Sequence, residues 1–168
     1  EVIENHVAYA SANGFATNLG GLVATAFMLP ANVTGLALIQ CRMVAGIAHL
    51  RGYHLADPRT RVAILTSLLG EERILKLVKS RDLPGTPIEL AAAKVADPSL
   101  DTVVANEVAS ELITRAAGKR LATTVGRRVP VVGGVVGAGT DAFVTWKVGR
   151  YVDRYGLQLV RDLHTVFP

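Results

Sequence analysis

Residues 130–143 read PVVGGVVGAGTDAF, a run of glycines and small apolar side chains that holds a single charge, Asp141. Gly133, Gly137 and Asp141 are spaced four apart, and Gly134, Ala138 and Ala142 repeat that spacing beside them. On an α-helix each set forms one ridge. A ridge of small residues lets another helix backbone come close, which offsets the roughly 1 kcal/mol that each glycine costs in helix propensity. The stretch predicts a glycine-rich buried helix in an all-α protein. Asp141 continues the crowded side, where a carboxylate needs a cation or a solvated space beside it.

The helical pattern extends outward in both directions. Half of the 168 residues are hydrophobic, 19% are charged and the mean hydropathy is +0.34, so the chain is more apolar than an ordinary soluble domain. Aromatic residues make up only 5%, which leaves Ala, Val and Leu as the apolar mass. No stretch alternates with the period of a strand. A first helix is expected from Val2, bending at Gly20-Gly21 and ending at Leu29-Pro30, because proline disfavours helix in the residue before it. A second follows from Asn32 to Arg51, stopped by Gly52. Together they form a central apolar hairpin.

Asp57-Pro58 then starts a helix to Leu69, with Asp57 positioned to accept the free N–H groups of its first turn. Further helices are expected over Glu71–Ser80, Ile88–Val95, and from Asp97 to near Gly126. The last of these carries Leu100, Val104, Val108 and Leu112 on one face and Glu107, Glu111 and Arg115 on a solvated one. The glycine helix runs from Pro130 to Tyr155, and a final amphipathic helix from Leu157 to Phe167. The result is one compact domain of about seven helices. The chain begins at Glu1 without Met, so a fragment of a longer protein is expected.

Two stretches compare with a membrane span, about 20 apolar residues, the first of them as two parts divided by Pro30. Residues 5–41 contain no Asp, Glu, Lys or Arg, and residues 129–146 contain only Asp141. Asn13, Asn18, Asn32 and Gln40 interrupt the first, and glycines and the carboxylate interrupt the second. A helix buried on all sides of a globular protein gives the same pattern.

Arg42 stands among Cys41, Met43, Val44 and Ile47, and is the first candidate partner of Asp141; Lys119 is the second. With His49, these residues are expected to make either a structural buried ion pair or a polar spot in a pocket for a lipid or other apolar ligand. The formal net charge is +4, and between Arg115 and Arg154 eight basic residues face only Asp141 and Asp153. Arg127, Arg128, Trp146, Lys147, Arg150 and Arg154 suit an anionic membrane surface, with tryptophan at the interface.

Other chemistry finds no support. The glycine run lacks the lysine and hydroxyl residue of a phosphate loop, and no GxSxG offers a nucleophile. His49 and His54 are five apart and share no helical face, so no metal site is expected, and no cofactor. No reader helix or stacking platform points to nucleic acid. A single cysteine, Cys41, makes no internal disulfide and reads as a small buried hydrophobe.

The stretches NGFATNLGGLVATAFMLPANVTGLALIQCRMVAGIAHLRGY (13–53) and GKRLATTVGRRVPVVGGVVGAGTDAF (118–143) resemble the EcsC family of bacterial proteins. The likeness runs from about Asn13 to Tyr155. It is strongest at Gln40-x-Arg42-Met43 and in the glycine helix. The resemblance implies an all-α fold and no catalytic residue. Some members of the family are encoded near an ABC transporter, which implies a membrane transport complex as a partner. The expected function is non-enzymatic binding of a lipid or other apolar ligand, in the cytoplasm and peripheral to the membrane. The rivals are a hydrolase with a polar site around Arg42, His49 and Asp141, and a structural partner of a transport complex.

Overall fold

The structure, a computed structural model, describes residues 1–18, 21–125 and 130–158, with the side chains of 1–12, 34–115 and 138–158. Among the described residues there are seven α-helices and no strand, as the helical periodicity predicts. They are α1 (Val2–Asn18), α2 (Gly21–Leu50), α3 (Pro58–Ser67), α4 (Glu71–Ser80), α5 (Pro87–Ala92), α6 (Pro98–Val125) and α7 (Pro130–Tyr151), followed by a π-helical turn over Val152–Gly156.

Local chemistry accounts for most of the boundaries. Asp57 is extended, and its carboxylate accepts the Arg59 N–H at 2.9 Å, while Pro58 occupies the first turn of α3. Asp97 does the same for α6, accepting from the Ser99 N–H at 2.9 Å and its hydroxyl at 2.7 Å. Glu89 reaches back to the N–H and hydroxyl of Thr86, at 2.6 and 2.7 Å, to close the start of α5. Glu71 and Glu72 sit at the positive end of α4 and Lys79 at its negative end. That helix stops at Arg81, whose φ of 66° lets the Asp82 N–H turn back to the Leu77 carbonyl at 2.9 Å.

Three boundaries correct the sequence reading. Pro30 lies inside α2, which runs unbroken from Gly21 to Leu50. A proline removes one backbone donor and crowds one carbonyl, a penalty of about 3 kcal/mol that a long helix survives. At the other end, α7 gives way at Tyr151 to the π-helical turn, and Leu157 is extended (φ −142°, ψ 98°), so no α-helix begins there. The remainder of the expected final helix, 159–167, lies outside the described residues.

The chain divides into two compact units, where the sequence punctuation reads as one domain. One comprises Glu1–Gln40 and Ser110–Trp146. Within it Ala10 and Leu112 are buried, and so are three polar residues: Gln40, Asp141 and Thr145. The other comprises Cys41–Ala109 and Lys147–Pro168, and holds an apolar core that includes Met43, Leu68, Leu69, Ile74, Leu83 and Val104. Arg51, just past the end of α2, fastens this second unit. Its guanidinium donates to the carbonyls of Val152 (2.8 Å), Asp153 (2.7 Å) and Leu157, and to the Asp153 carboxylate at 2.8 Å. One side chain thereby satisfies three carbonyls around the π-helical turn.

Candidate functional site

The second half of α7 has two unlike faces. Asp141, Thr145, Val148 and Val152 follow each other at helical spacing and are buried, Asp141 with only 4% of its surface exposed. Gln40, fully buried, donates through Nε2 to Oγ1 of Thr145 at 3.3 Å. Its Oε1 is buried and accepts no hydrogen bond among the described residues. Asp141 therefore sits one turn from a polar pair inside an apolar unit, and it is itself engaged by a neighbour. The sequence marks Gln40 as a polar interruption but does not place it or Thr145 at the site. The signal was available: Gln40 shares its helical face with Val44 and Ile47, so it had to go inside with them.

Two of the other expected members of the polar site are not buried. Arg42 and His49 are exposed. Met43, Val44, Ile47 and Ala48 form the buried face of α2, and Arg42 lies with exposed Leu38 on the other. Its apolar neighbours in sequence are not its neighbours on the helix. Arg42 is thus not withdrawn from water as a buried partner would be, and His49 is not a core histidine. The side chain of Lys119 lies outside the described residues.

The opposite face of the second half of α7 is open. Phe143 is 59% exposed and Trp146 47%, and their rings stack with centroids 6.3 Å apart and planes 21° from parallel. Lys147 and Arg150 continue this face at helical spacing, and exposed Arg154 follows in the π-helical turn. Lys147 makes a surface ion pair with Glu72 at 3.1 Å. Arg154 has no partner among the described residues. Tyr151, by contrast, is buried. Burial and the charges of Glu71 and Glu89 push its phenol up to about 12. Arg127 and Arg128 lie outside the described residues.

A second feature was not read from the sequence. Within the second unit, the starts of α3 and α6 and the loop before α5 enclose an open cleft of about 450 Å³. Pro58, Pro84 and Pro98 stand on its walls, and Val62, Leu90 and Leu100 give it an apolar lining. Its size falls among small-molecule sites. Arg59 braces one wall: its Nε and Nη2 grip the Asp57 carboxylate at 3.0 and 2.6 Å, and Nη1 donates to the Ala93 carbonyl at 2.7 Å. That grip holds the Asp57 carboxyl below the usual range, and the Ser99 hydroxyl does the same for Asp97. Three separate prolines, two at helix starts and Pro84 in the loop before α5, were the available signal, but only folding brings them together.

Among the described residues no group of three His, Cys, Asp or Glu side chains is placed to hold a metal. Burial pushes the Cys41 thiol up, which leaves it a poor nucleophile. No described helix is long and apolar enough to cross a membrane, in keeping with the polar interruptions of both long apolar stretches. No protein-family model, curated protein or solved structure matches this chain.

Proposed function

We propose that this chain binds lipid at an anionic membrane surface, using the open face of α7. The observation that carries the reading is the stacked, exposed pair Phe143 and Trp146 on a helix whose same face continues into Lys147 and Arg150. Two large aromatic rings left in water are unfavourable unless something covers them, and the headgroup region accepts their apolar bodies together with the indole N–H of Trp146. Basic residues beside them add about 1 kcal/mol each near an anionic surface. Arg154, unpartnered among the described residues, is the most available; Lys147 must first give up Glu72. Membership of the EcsC family, and a place beside a membrane transport complex, belong to the same proposal.

Trp146 is the only tryptophan in the chain, so its fluorescence reports this face directly. Its emission is expected to shift to the blue on vesicles containing phosphatidylglycerol, to shift far less on phosphatidylcholine alone, and to recover as salt is added. Arg154→Gln should weaken binding about fivefold, the equivalent of about 1 kcal/mol. An unchanged spectrum with both kinds of vesicle, or an equal salt-insensitive shift with both, removes the proposal.

A further inference from the structure

The cleft of the second unit carries five charged side chains, three of which are already committed. Arg59 is held by Asp57 and the Ala93 carbonyl, Glu89 by Thr86, and Asp97 by Ser99. The two that remain are Arg61 on α3 and Asp101 in the first turn of α6. Both are exposed, and neither has a partner among the described residues. An apolar lining that also presents one uncommitted cation and one uncommitted anion is complementary to a particular ligand class. We infer that the cleft binds a small amphipathic zwitterion, its anionic group on Arg61, its cationic group on Asp101 and its apolar body against Val62 and Leu90.

The alternatives fit less well. An anionic amphiphile would satisfy Arg61 and leave its own charge near Asp101, and a cationic one would meet the converse penalty. A neutral apolar ligand would gain from the lining alone. The prolines and the Arg59 brace keep the walls in place before binding, so little ordering opposes the ligand.

The test uses the whole chain and four ten-carbon amphiphiles below their micelle-forming concentrations: decylphosphocholine, decyl sulfate, decyltrimethylammonium and decyl maltoside. A dileucine peptide serves as a zwitterion of another source. Binding is read from amide shifts at residues 58–62 and 89–101 in NMR spectra, while Trp146 fluorescence reports the α7 face separately. Decylphosphocholine or dileucine is expected to shift the cleft amides, and whichever binds more tightly identifies the source. Arg61→Gln and Asp101→Asn should each weaken that binding about tenfold, as loss of one charge-assisted contact does. These exposed positions leave the fold intact. Equal binding of all four amphiphiles, binding indifferent to both substitutions, or no cleft shift with either zwitterion overturns the inference. None of these results depends on whether vesicles bind at Trp146.

Discussion

A buried carboxylate and an exposed guanidinium respond differently to removal. Asp141 has 4% of its surface exposed, and taking its side chain away strands whatever group engages it inside an apolar unit. Breaking a buried charge interaction from one side is strongly destabilising, so Asp141→Ala should lower the unfolding free energy by about 3 kcal/mol. Arg42 faces solvent, and Arg42→Ala should change stability by less than about 0.5 kcal/mol. Urea unfolding of the two variants separates these outcomes. Equal losses would restore Arg42 as the partner of Asp141; two neutral variants would place the carboxylate in a solvated space. The sequence told that Asp141 stands in an apolar stretch, and the structure buries it. The sequence misled about Arg42 because chain neighbours were weighed in place of the residues three and four positions away.

At the scale of elements, boundaries marked by chemistry that acts over two or three residues were legible. α4 begins and ends where Gly70 and its terminal charges place it, and α6 starts where Asp97 and Pro98 place it. Boundaries decided by tertiary structure were not. The passage of α2 through Pro30 and the π-helical turn gripped by Arg51 leave no local mark. The cleft was illegible for the same reason, since its walls come from three separate parts of the chain. Arg81 offers a test of the local rules. It holds φ 66°, a left-handed conformation in which a side chain crowds the following carbonyl, at an exposed position. Arg81→Gly removes that strain at the expense of greater freedom in the unfolded chain, for a net gain of about 0.5 kcal/mol. Thermal unfolding should show the variant to be the more stable. A loss would mean that the Arg81 side chain stabilises the end of α4.

The response of the whole molecule to pH follows from groups whose folded environment favours one protonation state. Asp57, gripped by Arg59, is held below its unfolded value. Its contribution is therefore complete above the ordinary carboxylate range and is lost as pH falls through the lower, folded value. Tyr151 is the opposite case. Burial, aided by Glu71 and Glu89, lifts its phenol from the usual 10 to about 12. A raised folded value means that the folded state holds the proton more tightly. The stabilisation is present in full below pH 10 and disappears as pH climbs to about 12. Burial also pushes Tyr53 up, partly opposed by the charge of Arg51, so it adds to the same alkaline limb. Helicity followed by circular dichroism during urea unfolding, at a series of pH values, should show a plateau with two declining limbs. Asp57→Asn should flatten the acid limb and leave the alkaline one intact. Tyr151→Phe should make the decline between pH 10 and 12 shallower, because phenylalanine has no proton to lose. A Tyr151→Phe protein whose alkaline limb superimposes on that of the parent would show that this phenol is as open to water in the folded chain as in the unfolded one.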